Sequence, residues 1–239
     1  HKIDNLLELS RAEKPKEPED TVSEISYNIK QIVPRDAEDI AKLIYRTYEY
    51  SYTKEDLYFP KKIEQTLAGK EKLGVITRSD KGEALGYFAI LKKSDSNIAE
   101  VGEAVVSPRY RKKGIMSGMM EHLIRVAREH HFDALFGKAV TIHPVSQRVN
   151  KKFGFVSAGL MLLETQNVVF KGFDEDYPQP VSVVIDVLPL KHATSKEIYL
   201  PKKYHDILLE TYNLLDIPIT PKQHEYYKMA EKSDAELTI

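Results

Sequence analysis

Four basic residues, Arg109, Arg111, Lys112 and Lys113, stand directly before Gly114. An apolar run from Val101 to Val106 leads into them through Pro108, and an apolar-periodic run from Ile115 to Val126 follows. That order predicts strand, short cationic loop, helix. The start of such a helix offers free backbone N–H groups and the positive end of the macrodipole, which together favour an anion, most often a phosphate. Gly114 lets the backbone approach that anion with no Cβ in the way. A solvated basic turn between a strand and a helix is the plain alternative. Glu100 and Glu103 lie on the same strand. A carboxylate on an otherwise apolar strand can be desolvated towards the pKa of a useful general base. Simple alternation puts the two on opposite faces unless a bulge intervenes.

Two further groups could do chemistry. Tyr45, Tyr48, Tyr50, Tyr52 and Tyr58 crowd one segment. Packing at the core edge explains most of them, while an apolar ring with a polar tip also suits a substrate-side wall. His130 and His131 close the central helix, where imidazoles favour the negative helix end. Being adjacent, they lack the i, i+4 spacing of a helical metal pair, and no metal is expected.

The elements that must hold these residues follow from hydrophobic period and turn chemistry. Tyr27–Val33 alternates as a strand, and Asp36 then suits the N-cap of a helix carrying Ile40, Leu43, Ile44 and Tyr48. Pro60–Ala68 predicts a short helix with Pro at its first position. Leu73–Arg78 and Ala84–Leu91 read as strands joined by a Ser79–Gly82 hairpin turn. The strand from Ile98 and the helix Ile115–Glu129 come next, then a strand at Ala134–Val140, which implies a right-handed parallel crossover. A short helix at Val145–Lys151 ends at Gly154. Two late strands, Phe155–Glu164 and Ser182–Leu188, flank the acidic loop GFDEDYPQP. Beyond Pro189 the character changes, with an amphipathic helix over Pro201–Leu215.

The chain has 239 residues, 42% hydrophobic and 30% charged, a normal balance for a soluble globular core. Its net charge of −1 supplies no global field for nucleic acid or an anionic membrane. It has no cysteine, which excludes a disulfide scaffold and a cysteine nucleophile and fits a reducing, cytoplasmic setting. No run is long enough for a membrane span, and the N-terminus lacks signal-peptide character. Residues 1–25, with a turn or two at Ile3–Leu9 and the Pro/Glu/Lys-rich AEKPKEPEDT, read as a leading segment and linker. Residues 26–190 read as one α/β (α+β) domain and 191–239 as a C-terminal helical extension. The ending SDAELTI is expected to lead into a further domain.

Val106, Pro108, Arg109, Tyr110, Arg111, Lys113, Gly114 and Ile115 resemble the acyl-CoA loop, V-x-P-x-x-[RQ]-x-x-G-x-[GA], of the GNAT superfamily of acyl-CoA-dependent N-acyltransferases. Downstream, HPVSQRVNKKFGF resembles that family's N-x-x-A-x-x-L-Y-x-x-x-G-F, with Ser146 at the small position, Val149 at the aliphatic one and Gly154-Phe155 at the end. The element order agrees over roughly residues 26–190. The resemblance implies a mixed, mainly antiparallel sheet with one parallel, splayed strand pair, flanked by helices. It also implies acetyl-CoA as co-substrate. Backbone N–H groups from Lys112 to Ser117, including those of Lys113, Gly114, Ile115 and Met116, would cradle its pyrophosphate, with charge added by Arg111 and Lys113. Val105 and Val106 would bond its pantetheine arm as a strand.

Glu100 lies eleven residues before Arg111, where histone-acetylating members of the family carry a catalytic glutamate, and is the first candidate for the base. Glu103 is the second. Met116 stands where the family usually has Gly or Ala, and Asn150 where it often has a tyrosine that protonates the leaving thiolate. An amide cannot be that acid, although it can hydrogen-bond sulfur. His143 replaces the motif's usual Asn, and it suits helix capping, cofactor positioning or proton transfer. The acid is then Tyr45, Tyr48, Tyr50 or Tyr52, or the thiolate leaves unassisted, or catalysis is lost.

Two functions follow. One is an acetyltransferase acting on a primary amine, small molecule or peptide, by direct attack in a ternary complex. The other is a non-catalytic acyl-CoA-binding sensor within a larger regulatory protein. Nucleic acid and membrane are not expected partners; homodimerisation and additional domains are left open.

Overall fold

The computed structural model describes residues 25–50, 52–92, 96–142, 144–165 and 180–222. The Ile3–Leu9 turn, the AEKPKEPEDT linker, His143, residues 172–179 of the acidic loop and the SDAELTI ending lie outside the described residues. Two compact units divide the chain, His1–Lys191 and His192–Ile239.

In the first unit, β-rich runs between turn residues become seven strands of one sheet: β1 (Tyr27–Gln31), β2 (Lys72–Ser79), β3 (Ala84–Leu91), β4 (Ile98–Val106), β5 (Ala134–Val140), β6 (Val156–Thr165) and β7 (Val181–Pro189). Their order is β1-β2-β3-β4-β5-β7-β6. Every neighbouring pair is antiparallel except β4–β5, which is parallel. The parallel pair is joined by helix α3 (Ile115–Glu129), because a parallel connection needs a long crossover. The other helices are α1 (Ala37–Tyr48), α2 (Pro60–Ala68) and α4 (Val145–Lys152).

Both faces of the sheet are covered. α3 buries Ile115, Met119, Met120, Leu123, Val126 and Ala127, a stripe at helical spacing, against Val75, Phe88, Ile90, Val101 and Leu135. On the opposite face, Ile40, Leu43 and Ile44 of α1 and Ile63 and Leu67 of α2 pack on Ile76, Tyr87, Ala89 and Val105. Each buried Val, Leu, Ile, Met or Phe among them contributes about 1.5–3 kcal/mol of hydrophobic burial, so β2–β4 is packed from both faces.

A bulge alters the alternation of β4. Tyr87 pairs with Val105 and Ala89 with Gly102, so Glu103 and Ala104 together oppose Phe88. Glu103 takes the extra residue's left-handed backbone, with φ +59°. Val101, Ala104 and Val106 pack on the α3 side, and Val105 on the α1 side. The shift puts Glu103 on the same face as Glu100, where unbroken alternation would have set them apart.

The second unit contains helix α5 (His205–Leu214), preceded by a 3-10 turn at Lys202–Tyr204, within the span expected to be helical. It also contains a parallel two-stranded sheet, β8 (Lys196–Tyr199) with β9 (Ile219–Lys222), so the extension is not helical alone. Four-residue strands, one of them carrying Pro221, give little periodic signal.

Candidate functional site

The ladder between β4 and β5 runs from Ile98↔Ala134 to Val101↔Gly137 and stops there. β4 continues to Val106, held by β3 alone, and β5 continues to Val140, held by β7. The facing edges of the two strands beyond Val101 and Gly137 are therefore without ladder partners, a wedge that an extended amide-bearing chain can fill. Val105 and Val106 lie on this stretch of β4. At the far end of β5, Gln147 of α4 donates its side-chain N–H to the Val140 carbonyl at 3.1 Å.

The chain leaves the open end of β4 through a 3-10 turn at Pro108–Tyr110 and enters α3 at Gly114. Lys112 and Gly114 both have left-handed backbones, φ +63° and +77°. The first turn of α3 has no acidic residue and its N-cap no side-chain bond, so its N–H groups are left for another acceptor. Arg111 and Lys112 are exposed and Lys113 half-buried around that end. Met116 is half-buried and packs against the core. Lys152, at the end of α4, brings a further ammonium there, 3.3 Å from the Ser117 hydroxyl. Ser146 is half-buried in the first turn of α4. These features fit a phosphate-bearing co-substrate: amides, surrounding cations and a residue without a Cβ at the point of approach.

The two carboxylates differ in their surroundings. Glu100 is half-buried in the central row Lys72–Leu91–Glu100–Phe136, and no described ammonium or guanidinium forms an ion pair with it. Glu103 has a side chain only 3% exposed. It accepts from the Tyr87 hydroxyl at 2.8 Å, from Lys72 Nζ at 2.7 Å and from Lys54 Nζ at 3.3 Å. Burial and the Glu103 charge push the Tyr87 phenol well above its ordinary pKa, so it stays a donor. Glu103 is thus pinned by three donors, and among the described residues no comparable set surrounds Glu100.

The tyrosines line the same face. Tyr48 and Tyr52 stack with centroids 4.7 Å apart, and the Tyr52 N–H donates to the Tyr58 hydroxyl at 2.9 Å. Burial raises the pKa of Tyr48, opposed by the Arg111 charge. Tyr52 is raised further, by burial first and then by neighbours that include Glu103 and Glu100. Burial pushes Tyr58 up to about 12. Tyr48, Tyr52 and Tyr58 thus stay protonated as phenols at neutral pH. Tyr45 and Tyr50 are exposed, meeting edge-on at 5.1 Å.

Asn150 lies elsewhere, on the α3 side. Its buried amide donates to Asp186 Oδ2 at 2.9 Å, and the Ser157 hydroxyl donates to Asp186 Oδ1 at 2.7 Å. The contact needs Gly137, where a Cβ would stand 3.2 Å from Asn150 Nδ2. Asn150 thus ties α4 to β7.

Lys54, Lys72, Tyr87 and Lys152 carry no motif and come from distant parts of the chain, so only folding reveals them. Among the described residues no cluster of His, Asp or Glu could hold a metal ion, and no helix is long and apolar enough to cross a membrane.

Residues 37–155 match the family model described as the acetyltransferase (GNAT) family. Among solved structures, the chain is similar to an acetyltransferase of the GNAT family from Streptococcus pneumoniae, with 18% identity over 69% of this chain and 100% of that one, at a TM-score of 0.57. It is similar to the ribosomal-protein-S18-alanine N-acetyltransferase of Escherichia coli, with 15% identity over 71% and 97% and a TM-score of 0.53. It also resembles mutant forms of the spermidine/spermine N-acetyltransferase of Vibrio cholerae, with 11% identity over 68% and 93% and a TM-score of 0.54. Comparison with curated protein sequences finds no match.

Proposed function

Because this chain belongs to the acetyltransferase (GNAT) family, we propose that it transfers an acetyl group from acetyl-CoA to a primary amine by direct attack in a ternary complex. The observation that carries this reading is the wedge beyond Val101 and Gly137, opening directly into the cationic loop and the uncapped start of α3. The loop and first-turn amides from Lys112 to Ser117 would hold the pyrophosphate, with Arg111 and Lys113 adding charge. Val105 and Val106 would pair with the pantetheine amides.

The acceptor amine arrives as an ammonium and must lose a proton before attack. Glu100 is the base in this reading, directly or through one water. The amine nitrogen forms the new C–N bond, and the C–S bond breaks. A backbone N–H on the free edge of β4 would bond the carbonyl oxygen as charge develops there. The leaving thiolate takes up a proton. Tyr52, protonated and close enough to feel both carboxylates, is the first candidate to supply it. Asn150 would act by holding α4 in place.

One observation favours the second reading, a non-catalytic acyl-CoA sensor: the Asn150 amide is engaged by Asp186 on the face away from the carboxylates. A Glu100→Gln variant separates the two. For the transferase, CoA release with a productive amine should fall about 100-fold or more while acetyl-CoA affinity stays. A wild-type protein that binds acetyl-CoA and releases no CoA with any amine supports the sensor.

A further inference from the structure

Tyr27 opens β1, three strands away from β4 in the sheet order. It is half-buried, as is Ile29, and strand alternation puts both side chains on the face that packs under α3. The register carries that face to the start of α3. Ile29 pairs with Thr77, Thr77 with Gly86 and Gly86 with Val106, one row across four strands. Val106 ends β4 just before the basic loop. β1 runs antiparallel to β4, so Tyr27 lies two residues, about 7 Å, beyond that row towards the loop.

α3 begins over the same row. A Cβ on Gly86 would stand 3.2 Å from Ile115 Cγ2 and 3.0 Å from Met119 Cε. A Cβ on Gly118 would stand 3.0 Å from Ile29 Cδ1 and 3.7 Å from the Tyr27 hydroxyl oxygen. One on Gly114, the N-cap, would stand 3.9 Å from the same oxygen. Gly114 and Gly118 are four apart and lie on one side of the first turn. With no Cβ at either position, the phenol comes up against the uncapped end of the helix. Among the described residues its hydroxyl has no hydrogen-bond partner. A phenol ring with an apolar body in the core and an unsatisfied O–H at its tip is suited to a polar ligand at that tip.

We infer that Tyr27 is a further co-substrate-binding residue, its O–H donating to the pyrophosphate held at the start of α3. The inference rests on acetyl-CoA binding there, as in the reading above. The donor it adds differs from the others at the site. Arg111 and Lys112 are exposed and must be ordered when the ligand arrives. The Tyr27 ring is already fixed by its packing on the core, so its hydroxyl is positioned in advance and little side-chain freedom is lost on binding. A bond from a hydroxyl to a charged oxygen is also among the stronger hydrogen bonds.

The test is Tyr27→Phe, which keeps the ring in the core and removes only the hydroxyl. Isothermal titration with acetyl-CoA and with its 3′-dephospho form is run on the wild type and the variant, and thermal midpoints are measured without ligand. Both ligands carry the pyrophosphate. The variant is expected to bind each about tenfold more weakly or worse, as the loss of a bond to a charged group implies, with the ligand-free midpoint near that of the wild type. Unaltered affinity in Tyr27→Phe would overturn the inference and leave the co-substrate site intact. A loss seen with acetyl-CoA and absent with the 3′-dephospho form would assign the hydroxyl to the 3′-phosphate and overturn its role at the pyrophosphate. No binding of either ligand by the wild type would overturn the co-substrate site and this inference with it.

Discussion

Replacing Lys72 by Met should be among the most damaging single changes outside the apolar core. The Lys72 ammonium lies 2.7 Å from a Glu103 carboxylate that is 3% exposed. At an effective dielectric of about 20, that separation corresponds to about 6 kcal/mol of gross attraction. Most of it offsets the desolvation of two ions. What the variant loses is set instead by the charge left behind. Breaking a buried pair from one side typically costs about 3–5 kcal/mol. Lys54 and the Tyr87 hydroxyl would still face Glu103, so the lower end, about 3 kcal/mol, is expected. For a chain of this size that is a fall of about 6–12 °C in the thermal midpoint. The Lys54 pair is longer and 44% exposed, and Lys54→Met should cost no more than about 1 kcal/mol. Adding Glu103→Gln to Lys72→Met removes the stranded charge and should recover much of the loss. Urea unfolding of the four proteins, with the slope checked for constancy, reads these differences. If Lys72→Met costs under about 0.5 kcal/mol, or no more than Lys54→Met, Glu103 is not held as argued.

Two other outcomes follow from the same geometry. Gly137→Ala would set a Cβ 3.2 Å from Asn150 Nδ2 and 3.3 Å from Val101 Cγ2, and should cost about 1–3 kcal/mol in urea unfolding by crowding the contact that ties α4 to the sheet. Alkaline stability should fall between pH about 10 and about 12. Tyr48, Tyr52, Tyr58 and Tyr87 all have raised folded pKa values, Tyr58 at about 12. Below pH 10 these phenols are protonated in both states and stability does not depend on them. Above it the unfolded chain ionises first, so the folded state loses ground as pH rises. Thermal midpoints against pH, with absorbance titration of phenolate, check both the window and its sign.

Much of the fold could be read because its elements carry their own punctuation. α3 runs from Ile115 to Glu129 and β5 from Ala134 to Val140 as periodicity and turn residues indicate. Gly114 and Gly154 do take the left-handed backbones that their positions call for. The basic loop, the start of α3 and the two motifs are local in sequence, and so is the resemblance they carry. The shared face of Glu100 and Glu103 is not local. It depends on a bulge whose extra residue is a glutamate rather than a glycine, so no residue type advertises it. Nor could Lys54 and Lys72 be assigned to Glu103, since only folding brings segments from before α2 and after it onto β4. The engagement of Asn150 by Asp186 crosses from α4 to β7, again beyond any spacing rule. β8 and β9 escaped because four residues with a proline give no alternation to read.

Acetyl-CoA binding at the start of α3 is the central proposal. Isothermal titration of acetyl-CoA into the wild-type protein and into an Arg111→Glu variant is the direct measurement. Arg111 is exposed, so the substitution should leave the thermal midpoint near that of the wild type. Saturable one-to-one binding to the wild type, lost in Arg111→Glu, is the expected result. Unaltered affinity in the folded variant, or no binding by the wild type, would contradict the site.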